Sequence, residues 1–200
     1  MAISYTQTDD SVSCVANSYC SGISVDTLAG ESEAVDGGTA GSGTFDITNI
    51  NDAADRVGGG FSIVPDSGVS WDAGTWTVRF NVTTENMFLT VTEIYICRVN
   101  SSCTNQETIG SATGLSISLS SAGVKSQTVS GSAVTPSAGD RVTICLVVNN
   151  SNMNRQTATI TKDQDIDSPF TAVVDESVFP TFGPFGQTGP RFDPTEIVGY

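Results

Sequence analysis

Gly74-Thr75-Trp76-Thr77-Val78-Arg79-Phe80-Asn81-Val82 is the stretch that decides the fold. Trp76, Val78, Phe80 and Val82 alternate with Thr75, Thr77, Arg79 and Asn81. In an extended chain the two sets point to opposite faces. The alternation predicts a strand that covers a core on one side and meets water on the other.

Similar signals extend outward from it. Gly60–Val64, Phe88–Val99, Leu115–Leu119, Val124–Val134, Arg141–Asn149, Thr157–Thr161 and Phe170–Val174 are rich in β-branched or aromatic residues and lie between turn clusters. Pro65-Asp66-Ser67-Gly68 and Ser137-Ala138-Gly139-Asp140 read as turns. Phe88–Val99 is long and apolar, as a central strand is, with an irregular start that suits a bulge. No helical period is sustained. Eight or so short strands predict an all-β antiparallel sandwich, a jelly roll.

The ends differ from this middle. Residues 1–60 carry nine acids and one base, residues 61–162 six of each, and residues 163–200 seven acids and Arg191 alone, which together give the net −14. The expected organisation is an extended N-terminal arm over 1–44, a sandwich body over 45–167 and a Pro/Gly/Phe-rich C-terminal arm over 168–200. Phe179-Pro180-Thr181-Phe182-Gly183-Pro184-Phe185-Gly186 suits neither helix nor regular strand, because Pro lacks a donor and Gly resists ordering. Phe179, Phe182, Phe185 and Phe192 each gain about 2 kcal/mol when buried. With Tyr200 they are the candidate interface residues. They cover either their own sandwich or a neighbouring subunit.

Composition excludes several chemistries. The acidic balance argues against nucleic acid as a partner, since phosphate binding needs clustered Lys and Arg. The chain contains no histidine, so Ser–His–Asp and Cys–His catalysis are out of reach of this chain alone. No apolar run is long enough for a membrane helix, and the start MAISYTQTDD lacks the features of a secretory signal. The reading is of a non-enzyme without cofactor. Cys14 and Cys20, and Cys97 and Cys103, share a spacing of six that a tight loop closes as a disulfide, whereas Cys145 sits in an apolar run as a buried thiol. Free thiols are the alternative for both pairs, and zinc is a poor fit without Cys-x-x-Cys or His.

Asp163, Asp165 and Asp167 place three carboxylates at a spacing of two. They resemble the opening of a calcium loop, but Gly at the sixth position and Glu at the twelfth are missing, so a solvated edge is the better reading. Asn81, Asn100 and Asn149 begin glycosylation sequons. Trp76 belongs to the apolar face, while Trp71 stays open as a platform for a sugar ring.

Ala73-Gly74-Thr75-Trp76-Thr77-Val78-Arg79-Phe80-Asn81-Val82-Thr83-Thr84, followed by Ala138-Gly139-Asp140-Arg141-Val142-Thr143-Ile144, resembles the jelly rolls of the tumour-necrosis-factor and complement-head type. Val129-Ser130-Gly131-Ser132-Ala133-Val134 before the Gly-Asp turn fits as well. The texture is also similar to phage-encoded virion proteins, including head decoration proteins. The resemblance implies a sandwich that usually trimerises. The arms, which cytokine-like members lack, favour a structural role. The expectation is a capsid decoration or cement protein, made in the host cytoplasm and placed on the capsid surface. Its arms would reach the major capsid protein and neighbouring decoration subunits. A tail-fibre or spike head recognising a host glycan or receptor is the alternative.

Overall fold

The structure, a computed structural model, describes residues 2–9, 27–49, 57–66, 68–102, 104–152 and 154–172. Every regular element among them is a strand: β1 (Ala2–Gln7), β2 (Thr27–Asp36), β3 (Thr44–Asn49), β4 (Val57–Ile63), β5 (Val69–Ser70), β6 (Gly74–Thr84), β7 (Leu89–Val99), β8 (Asn105–Ala112), β9 (Ile117–Ser118), β10 (Gly123–Gly131), β11 (Arg141–Asn150), β12 (Gln156–Thr161) and β13 (Asp165–Ala172).

The strands follow the order β3-β12-β6-β10-β8-β7-β11-β4-β2-β1-β13-β5, with β9 beside β7. A further pairing of β13 with β6, at Asp167 and Thr77, brings the order back on itself. The sheet is thereby almost closed into a flattened barrel, an all-β antiparallel sandwich. One pair is parallel, β2 with β4.

The core forms where the alternation requires it. Trp76, Val78, Phe80 and Val82 are buried, and the opposite face of β6 is not. In β7 the irregular start is a bulge. Val147 pairs with Glu93 and Val148 with Val91, leaving Thr92 as the extra residue, so both Thr92 and Glu93 turn away from the core. From Val142 to Val148, β11 is buried throughout, as a central strand is. Strand β4 approaches β11 so closely that a Cβ at Gly60 would overlap the Ile144 carbonyl oxygen, which accounts for glycine there.

The 1–44 stretch departs from the expected arm. Strands β1 and β2 lie inside the sheet, and Ile3, Tyr5 and Ala34 join the core. The boundary between body and N-terminal arm therefore does not fall at 44/45. A second anchor follows β1. The Asp9 carboxylate accepts from the backbone N–H groups of Ser42 and Gly43 and from the Ser42 hydroxyl. Those bonds hold its carboxyl below the usual carboxylate range. Side chains at 41 and 43 would collide with Asp9, so Gly41-Ser42-Gly43 fits closely around that carboxylate.

The other boundary shifts too. Strand β13 runs through Ser168-Pro169-Phe170, past the expected limit at 167. Between the pairs Ala2–Thr171 and Ser4–Asp167 the register slips, and Pro169 occupies that irregularity. The Ser168 hydroxyl donates to the Ile3 carbonyl and accepts from the Phe170 N–H, supplying a bond across the β1–β13 pair where Pro169 has no donor.

Candidate interface site

The end of β13 positions the site. Thr171 and Ala172 pair with Ser70 and Val69 of the two-residue strand β5. Asp72 clamps this edge, accepting from the Thr171 hydroxyl at 2.6 Å and the Ser70 hydroxyl at 2.7 Å. The Thr171 bond, followed by that of Ser70, lowers the Asp72 carboxyl below its usual range. Beneath the edge, Trp71 stacks on Phe170 with ring centroids 5.0 Å apart, and Trp76 meets Phe170 edge-on at 4.8 Å. Trp71 is buried, at 4% exposure, with Phe170 against one face. The open sugar platform expected at Trp71 is thus corrected: its ring is largely committed to the core.

Beside Trp71 lies a cleft of about 400 Å³ between the β4–β5 loop and the turn before β11. Val64, Pro65, Val69, Trp71 and Pro136 give it apolar walls. The backbone around it is well fixed. The Trp71 carbonyl accepts from Val134 N–H, and the Asp140 carboxylate accepts from Ser137 N–H at 2.8 Å. Gly139 takes the left-handed conformation that the turn requires. Asp140, nearly sealed from water, pairs with the Arg98 guanidinium at 3.2 Å, which also donates to the Thr135 carbonyl and pairs with Glu107 at 3.1 Å. The floor of the cleft is therefore charge-compensated. The Gly-Asp turn was legible in sequence, but its partnership with Arg98 of β7 was not. No local spacing links residues 42 positions apart.

The three aspartates near β13 do not form a calcium cage. Asp167 is taken by Arg79 at 2.7 Å and by the Ser4 hydroxyl, Asp163 accepts from the Asn81 amide, and Asp165 is exposed. Among the described residues no group of three or more His, Cys, Asp or Glu is arranged to hold a metal ion. The cation beside Asp167 is the Arg79 guanidinium, which also donates to the Asp165 carbonyl. Two sequon asparagines likewise have structural employment. Asn81 binds Asp163, and the Asn100 side-chain oxygen accepts from Ser102 and Thr104 N–H.

Cys97 is disulfide-bonded and Cys145 is a buried thiol. Cys14, Cys20 and Cys103 lie outside the described residues, as do the interface candidates Phe179, Phe182, Phe185, Phe192 and Tyr200.

The fold and site define a β-sandwich with a clamped edge and an apolar cleft beside that edge. No family model matches the chain, and no curated protein sequence matches it. Two solved structures, both described as a CocE/NonD family hydrolase from Staphylococcus aureus, are similar to it at 9% and 10% identity, with TM-scores of 0.46 and 0.47. The likeness covers 70% and 83% of this chain. The chain spans only about a third of those structures, 34% and 36% of their length. At that level the likeness carries no argument about chemistry.

Proposed function

We propose that the chain is a non-enzymatic structural protein of a virus particle, a capsid decoration or cement protein. It binds and stabilises the assembled head as a homotrimer on the capsid surface. The observation that supports this most is a division within the chain. The sandwich carries a core of its own from Ile3 to Phe170, while four of the nine phenylalanines follow Ala172 in an acidic, Pro/Gly-rich segment. Such a segment suits contact with another chain better than completion of a sandwich. Because the N-terminal stretch supplies strands to the sheet, the tethering role falls chiefly on the C-terminal segment, toward the major capsid protein and neighbouring copies. A net charge of −14 suits an outer surface that repels other particles and makes no contact with nucleic acid.

Immunogold labelling of the particles released from the host that carries this chain tests the reading. Label spread over the head is the expected result. Label confined to tail fibres would replace it with the receptor-binding alternative, and particles without label would overturn it.

A further inference from the structure

We infer that the cleft between the β4–β5 loop and the 136–140 turn receives the Phe/Pro segment 179–192 of a neighbouring copy of this chain. The inference deepens the decoration reading and rests on its premise that copies associate. Three observations carry it.

The first is chemistry. The walls of Val64, Pro65, Val69, Trp71 and Pro136 suit apolar and prolyl side chains, and Val64 at the lip is 36% exposed. Asp140 beneath is compensated by Arg98 and so does not repel an aromatic guest. The segment 179–192 supplies matching chemistry, with Phe179, Phe182, Phe185 and Phe192 set among Pro180, Pro184 and Pro190.

The second is position. Ala172 pairs with Val69, itself a cleft residue, and twenty-eight residues follow it in the sequence. Every copy thus presents the root of a donor segment beside an acceptor. Head-to-tail contact between unlike surfaces closes into a ring when the rotation permits.

The third is reach. Six residues, Val173 to Val178, separate Ala172 from Phe179. Such a stretch can span up to about 20 Å, enough to bring the aromatics to the cleft of an adjoining copy.

The test places a photo-crosslinking phenylalanine analogue at Phe182 in the full chain and mixes isotopically heavy and light copies before irradiation. Mass spectrometry then reads the linked peptides. The expected product joins heavy to light chain at residues 64–71 or 136–140. Its yield falls about tenfold in Val64→Glu and in Ala138→Glu, both at exposed positions, while circular dichroism is unchanged. Links confined to one isotopic form overturn the inference in favour of the chain's own cleft. Links between copies at another surface overturn it while leaving the decoration reading intact. Hybrid links at the cleft alongside unlabelled particles would sink the decoration reading and leave the docking site standing.

Discussion

Strands β6 and β1 both pair with β13, yet they become strands for different reasons. Strand β6 is eleven residues long and alternates over four large apolar side chains, so its own sequence specifies its faces. Strand β1 is six residues long, with Ile3, Tyr5 and Gln7 inward. A buried glutamine ends its apolar pattern, and only the surrounding chain makes that position acceptable. The Gln7 amide donates to the Arg79 carbonyl at 2.8 Å, its backbone N–H donates to Gln164 O, and its side-chain oxygen lies 3.4 Å from Gln164 N–H. A long alternation is self-sufficient. A short one is rescued by its partners.

The largest effect should come from the self-sufficient strand. Trp76→Ala empties space against Phe170 and is expected to lower unfolding free energy by about 4 kcal/mol, read by urea denaturation. A loss below about 1 kcal/mol would show that β6 does not anchor the core. Gln7→Ala orphans the Arg79 carbonyl and should cost about 2 kcal/mol. A neutral result would mean that β1 holds its place without that bond, and the contrast with β6 would dissolve.

Tyr5→Phe is smaller again, within about 1 kcal/mol at neutral pH, because the buried Tyr5 hydroxyl lacks a well-formed hydrogen bond. It sharpens the comparison in alkali. Burial, aided by Asp36 and Asp66, pushes the Tyr5 phenol above the ordinary tyrosine value of 10.0. The unfolded chain then releases this proton first, so stability is full below about pH 10 and falls as pH rises above it. Tyr5→Phe should flatten that fall in a series of denaturant midpoints, and an unchanged slope would contradict the burial of this phenol.

The smallest effect belongs to the strand that β1 and β6 share. The hydrogen bond from Arg79 holds the Asp167 carboxyl below its usual 3.8. Its contribution is therefore present above about pH 4 and lost as pH drops further. Both side chains are about a third exposed, so Asp167→Asn should cost no more than about 0.5 kcal/mol at pH 7 and nothing at pH 2. An equal cost at both values would assign the loss to something other than the ion pair.

The same distinction explains what was legible in the chain. Strands β6, β7 and β11 stand out because several apolar residues recur at period two or in unbroken runs. Strand β8, Asn105-Gln106-Glu107-Thr108-Ile109-Gly110-Ser111-Ala112, shows only Ile109 as a large apolar residue, and pairing with β7 makes it a strand. Pro169 has no donor for the ladder, yet Ser168 supplies a bond across the pair and the sheet continues through it. At the cleft, the two turns were readable from their Gly, Pro and Asp residues. The ion pairs of Arg98 with Asp140 and Glu107, and the stacking of Trp71 on Phe170, join distant positions that no periodicity connects.

Mass in solution, measured by sedimentation of the full chain across a wide concentration range, tests most directly whether this sandwich lends its C-terminal segment to other copies. The account predicts a species of three times the 20.8 kDa chain that dissociates when Phe179, Phe182 and Phe185 are replaced by serine. A single-chain mass at every concentration, unchanged by those replacements, would contradict it.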